Sequence, residues 1–151
     1  MKLGQRAVPY LLVAVVGALL VGMFAVVGLA GPAQSSESER CGRFALQSRV
    51  RERMLTGTGR PVVVIGDSYS VGLGLSHPDR AWTRNLSGRV HVFGFSGSGF
   101  ARHDSPCKDV AFDQRAPAAL RARHSLVVLE GGLNDYNQSA RSIRAGYRRL
   151  I

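Results

Sequence analysis

The chain has 151 residues, 45% of them apolar and 20% charged, which is enough for one folded domain with accessory segments and excludes a disordered, highly charged polymer. Its 20 Lys and Arg against 10 Asp and Glu would suit nucleic acid. The arginines are scattered, however, and no aromatics are interleaved with them, so a nucleic-acid partner is not expected.

The first element in chain order is Ala7 to Ala30, a run of 24 residues without a charge, preceded by Lys2 and Arg6. That length spans a bilayer, and the flanking cations keep the amino end inside. Residues 1–6 are therefore expected to be cytoplasmic, 7–30 to form a single transmembrane signal anchor, and the rest to lie on the extracytoplasmic side of the cell membrane. Small residues from Gly28 to Ala33 leave cleavage, and hence secretion, as the alternative. Residues 31–43, rich in Gly, Pro, Ser and Glu, read as a linker, and 44–151 as the working domain.

Within that domain, Leu46, Val50 and Met54 at helical spacing predict a helix over Phe44 to Leu55 that packs on the domain through these residues. Pro61 to Ile65 is a continuous β-branched run, the pattern of a parallel strand buried on both faces. Two further strands are expected at Arg89 to Phe95 and Ser125 to Leu129. Helices are expected at Val110 to Arg123, despite Pro117, and at Asn137 to Ile151, with Ile143, Tyr147, Leu150 and Ile151 on one face. Alternating strands and helices predict an α/β fold with an open parallel sheet and active groups at the carboxyl ends of the strands. The last helix carries no stop signal at Leu150-Ile151, so the domain is expected to be incomplete at its carboxyl terminus.

Cys41 and Cys107 both fall on the outward side, where a disulfide is permitted. Closing so long a loop would contribute on the order of 4 kcal/mol. No metal-ligand spacing is present, and the glycines after the first strand do not form a dinucleotide fingerprint, so no cofactor is expected.

Three clusters end the three strands: Gly66-Asp67-Ser68-Tyr69-Ser70, Gly94-Phe95-Ser96-Gly97 and Gly131-Gly132-Leu133-Asn134-Asp135. A serine on a strand-to-helix turn has its hydroxyl lifted clear of the sheet, with a helix amino terminus beside it to favour negative charge. The backbone N–H of Ser68, an unobstructed N–H at Gly97 and the side-chain amide of Asn134 are the donor types an oxyanion needs. Gly-Asp-Ser alone is also an ordinary turn.

Taken together, Gly66-Asp67-Ser68, Gly97 and Gly132-Leu133-Asn134-Asp135 resemble, in order and spacing, the motifs of the SGNH/GDSL hydrolases over roughly residues 60 to 137. The resemblance implies Ser68 as nucleophile, with Ser68, Gly97 and Asn134 forming the oxyanion hole. It implies a three-layer α/β/α, flavodoxin-like sheet and ester or thioester substrates, including small acyl esters, lipids and acetylated glycans. The family's last motif, Asp-x-x-His, is absent. His77, His91, His103 and His124 are the only histidines, and none lies after the third strand. Ser68 would then lack its base. Two functions follow: a membrane-tethered serine ester hydrolase, truncated or inactive as written, or a non-catalytic envelope binding module on the same scaffold. Oligomeric state is left open.

Overall fold

A computed structural model describes residues 36–103 and 105–151. The transmembrane span expected at 7–30, with residues 1–6 before it, lies outside the described residues. No helix among the described residues is long and apolar enough to cross a membrane.

The first described helix, α1 (Glu37–Glu52), begins well before the expected Phe44 and takes up residues 37–43 of the expected linker. The cause is a reciprocal cap: the Ser36 hydroxyl accepts from the Glu39 N–H at 3.2 Å, and the Glu39 carboxylate accepts the Ser36 N–H at 3.1 Å. The packing face also differs from expectation. Leu46 and Val50 are exposed, while Cys41, Phe44 and Ala45 pack against Phe95, Cys107 and Val110. Further along the same face, the Ser48 hydroxyl donates to the Gly94 carbonyl at 2.6 Å. Arg51, fully buried, donates to the Met54 carbonyl at 3.0 Å and to Thr83 Oγ1 at 2.9 Å. Burial lowers the pKa of this guanidinium, and the nearby Asp79 charge raises it in part.

The sheet comprises β1 (Leu55–Thr56), β2 (Pro61–Gly66), β3 (Arg89–Gly94) and β4 (Leu126–Leu129), in the order β1-β3-β2-β4. β2 pairs in parallel with both β3 and β4, from Val62↔Val90 to Gly66↔Gly94 on one side and from Val62↔Leu126 to Ile65↔Leu129 on the other. The two-residue β1 pairs antiparallel with β3, so the sheet is mixed rather than wholly parallel. With β2 in the middle, the chain leaves it first to one side and later to the other. The carboxyl end of β2 is therefore the switch point, where an open α/β sheet leaves a crevice.

Alternation along the strands fills two layers. Val63, Ile65 and Phe93 point toward Phe112, Ala116 and Ala119 of α3 (Phe112–Ala119), with Leu150 of α4 (Ala140–Leu150) packed on that cluster. Val62, Val64, Val90 and Val92 meet Trp82 and Leu86 on the opposite face. α3 is shorter than the expected Val110 to Arg123, and Pro117 inside it supplies no N–H. α4 is preceded by a 3-10 turn, Leu133–Asn137, and seats Gly146 against the Phe100 carbonyl so closely that an added Cβ would lie 1.9 Å from it. Ile151 is exposed rather than packed.

The disulfide Cys41–Cys107 is formed, with Cα atoms 5.5 Å apart, and ties α1 to the loop after β3. A second tie is electrostatic. Asp113 on α3 accepts from Arg102 at 2.9 Å and from Arg149 of α4 at 2.6 Å. Burial pushes its carboxyl up, but the hydrogen bonds and charges of the two arginines outweigh it and hold the pKa below the ordinary carboxylate range. In the acid window between that depressed value and the ordinary one the unfolded chain binds the extra proton, so stability falls as pH drops. Urea melts of Asp113→Asn should lose less stability than the parent on acidification; parallel losses would sink this assignment.

Candidate active site

The C-terminal ends of β2, β3 and β4 carry the three clusters to one place. After Gly66 the chain makes a single helical turn, α2 (Ser68–Val71), whose N-cap is Asp67: its Oδ1 accepts from the Tyr69 N–H at 2.9 Å. Gly72 closes the turn in the left-handed conformation, φ 82°, with its N–H on the Ser68 carbonyl at 3.0 Å. Four residues make a small dipole, so the electrostatic help at Ser68 is that of individual N–H groups rather than of a long helix. The expected helix amino terminus is present beside Ser68, though one turn long. Paired glycines let the turn lie directly on the sheet. A Cβ on Gly94 would meet Val71 Cγ2 at 2.7 Å, and one on Gly66 would meet the Ser70 side chain and, at 2.8 Å, Glu130 Oε2.

Ser68 is half-buried and opens on a pocket of about 330 Å³ that Tyr69 and Leu73 also line. Gly97 is in the left-handed region, φ 81°, and its nearest foreign neighbour, Ser105 Oγ, would be 3.8 Å from an added Cβ. Its N–H meets no backbone carbonyl among the described residues. Asn134 joins the three clusters: its Nδ2 donates to the Ser98 carbonyl at 2.8 Å and to Asp67 Oδ2 at 3.3 Å. Asp135, fully buried, accepts the Phe100 and Ala101 N–H groups at 3.0 and 2.8 Å, fixing the second cluster against the third. The structure thus brings the neighbourhoods of Ser68, Gly97 and Asn134 together, with Asp67 and Asp135 as the structural aspartates that hold the turns.

Two groups escaped the sequence reading. Arg115 of α3 reaches under the site: Nη2 donates to the Gly66 carbonyl and to Ser98 Oγ, both at 2.9 Å, Nη1 to the Phe93 carbonyl at 2.5 Å, and Nε to the Val110 carbonyl at 2.7 Å. One guanidinium so clasps the ends of β2 and β3 and the Gly97 loop. Glu130, at the end of β4, accepts from the buried Ser70 hydroxyl at 2.6 Å. Asp67 has a raised pKa. Burial is the main cause, the Tyr69 N–H opposes it, Glu130 adds to it, and the Arg115 charge opposes it. A lone charge between Leu129 and Gly131 at the end of an apolar strand was the available signal for Glu130.

Among the described residues no histidine hydrogen-bonds Ser68. His91 lies within β3, its Nε2 2.6 Å from the Glu52 carbonyl. His77 precedes the 3-10 turn Pro78–Arg80. His124 is exposed, with its Nδ1 at the Ala122 carbonyl, and exposed His103 offers only its carbonyl, to Gln138. No cluster of three potential metal ligands occurs among the described residues.

No protein-family model matches this chain, and no curated protein does. Among solved structures it is similar to AlinE4, a SGNH-hydrolase family esterase, with a TM-score of 0.50 and 22% identity. The match covers 63% of this chain and 52% of that one, so the chain spans about half the length of the structure it matches. At that identity the likeness is one of fold alone, a mixed α/β scaffold around a four-stranded sheet.

Proposed function

We propose that this chain is an SGNH/GDSL-type serine hydrolase scaffold for ester bonds, working outside the cytoplasm and held to the membrane by residues 7–30. The observation that carries the reading is the Asn134 amide, which joins the turn bearing Ser68 to the loop bearing Gly97. In this mechanism Ser68 Oγ attacks the ester carbonyl. The developing oxyanion takes the N–H groups of Ser68 and Gly97 and the amide of Asn134, where it displaces the longer contact to Asp67. Collapse expels the alcohol and leaves an acyl-Ser68, which water hydrolyses. The disulfide supports an oxidising compartment.

The Ser68 proton needs an acceptor, and the described histidines do not supply one. Imidazole added to the solution is the direct test. Its concentration should raise hydrolysis of a short p-nitrophenyl ester above the protein-free rate by about 100-fold, the low end of what a base contributes, and Ser68→Ala should abolish the excess. An excess that survives in Ser68→Ala would remove the nucleophile assignment. No excess at all would favour a second reading, a non-catalytic envelope binding module on the same scaffold.

A further inference from the structure

The chain carries ten more basic than acidic side chains, yet no charged residue lines the pocket at Ser68 or the groove next to it. That groove, about 220 Å³, runs between α1 and the Gly72–Leu75 turn, with Leu46 and Val50 on one wall and Val71, Leu73, Leu75 and Pro78 on the other. Leu73 lines both the groove and the Ser68 pocket, which joins them.

Its apolar walls face solvent: Leu46 is 56% exposed, Val50 42%, Leu73 45% and Leu75 48%. Single exposed leucines are normal, but a contiguous apolar patch marks a binding surface. The backbone is built to present it. Gly72 at φ 82° and Gly74 at φ 81° turn the chain twice within three residues, in a conformation that favours glycine, and set Leu73 and Leu75 along one groove. Opposite them, Leu46 and Val50 stand one helical turn apart on α1. The groove is concave, narrow and uncharged, with Gln47 as its one long polar side chain, and it continues into the pocket lined by Ser68 and Tyr69, so apolar walls with a few polar groups compose it, as in a site for a mainly apolar ligand.

We propose that this groove seats a linear acyl chain, so that the ester served by Ser68 carries a medium or long fatty acyl group rather than acetyl. The proposal rests on the reading of Ser68 as nucleophile. An extended hydrocarbon suits a groove; a flat bilayer would rest on protruding side chains, and a second copy of the chain would have to insert one.

The test uses the full-length chain in phosphatidylcholine nanodiscs, irradiated with dodecanoic acid bearing a terminal diazirine, followed by mapping of labelled peptides. Label is expected on residues 46–50 and 71–78, competed by unlabelled dodecanoate but not by acetate, and equal in Ser68→Ala. In Leu73→Gln, with an unchanged thermal melt, it should fall about fivefold, the factor for ~1 kcal/mol. Label confined to residues 7–30 would overturn the proposal. So would groove labelling that neither dodecanoate nor Leu73→Gln reduces, the pattern of contact with bulk lipid or a second copy. The imidazole assay, run with p-nitrophenyl dodecanoate beside the short ester, separates the two readings. Competed labelling without Ser68-dependent turnover leaves the groove and removes the nucleophile; turnover with an unlabelled groove does the reverse.

Discussion

Replacing Arg115 by Met costs the domain about 3–5 kcal/mol, since a buried acceptor deprived of a donor costs up to about 1–3 kcal/mol and four lose one together, the Gly66 carbonyl keeping the Phe95 N–H and Ser98 its bond to the Phe95 carbonyl. The carbonyls of Gly66, Phe93 and Val110 and the hydroxyl of Ser98 all lose a donor, while Met fills much of the same space and limits the cavity. Urea unfolding with an unchanged slope would measure the loss. Arg115→Lys should recover only part of it, because one ammonium cannot reproduce a fork that reaches two strand ends and a loop. A loss under ~1 kcal/mol in the Met variant would show that the clasp is dispensable. The same variant should also reduce any Ser68-dependent turnover by more than its stability change explains, since Gly66 and Ser98 flank the proposed nucleophile and oxyanion donors.

Reduction of Cys41–Cys107, or its replacement by two serines, is expected to lower stability by about 4 kcal/mol. The closed loop is long, 66 positions from one cysteine to the other, and the unfolded chain gains the corresponding freedom. For a domain of this size that is on the order of 20 °C in Tm. The bridge pins the first turns of α1, whose packing face carries few apolar side chains, so this end of the helix should exchange its amides first once the bridge is open. A Tm that does not respond to reductant would show that the face of Cys41, Phe44 and Ala45 holds the helix without it.

Much of the sheet was legible in the sequence because its strands carry strong apolar patterns. Pro61 to Ile65 read as a strand from its continuous β-branched run, Arg89 to Phe95 from alternation rich in Val and Phe, and Ser125 to Leu129 from its Leu-Val-Val-Leu, and the glycine-rich clusters after them marked their ends. The Cys41–Cys107 pairing followed from two cysteines on one side of an apolar run. What escaped was structure made by polar atoms. The start of α1 depends on a two-way hydrogen bond between Ser36 and Glu39 inside a segment whose composition resembles a linker. Its buried face is Cys41, Ser48 and Arg51 as much as Phe44, so hydrophobic periodicity chose Leu46 and Val50 instead. β1 is held by two residues of pairing to β3 and leaves no pattern of its own. Arg115 looked like one more surface arginine, because nothing in one sequence tells a guanidinium that meets carbonyls from one that meets water.

At the candidate site the residue types were readable, and their arrangement was not. Ser68, Gly97 and Asn134 could be nominated, but Asn134 bound to both Asp67 and Ser98, the Glu130–Ser70 pair and the brevity of α2 are properties of packing. The apolar side chains nominated as a core face on α1 turned out to line an open groove. Here the periodic signal was real and its meaning was misjudged: the stripe Leu46–Val50 faces a cleft rather than the sheet.

The strand order has a practical side. β4 stands at the margin of the sheet, and its four residues, Leu126 to Leu129, include neither a lysine nor a proline to discourage another strand from adding there. The apolar side chains of Leu120, Leu129, Leu150 and Ile151 lie along the same hollow. Natural sheets usually blunt such margins, since open N–H and C=O rows next to exposed hydrocarbon act as templates for association between molecules. A charged substitution at half-exposed Leu126 is the natural place to interrupt such a template.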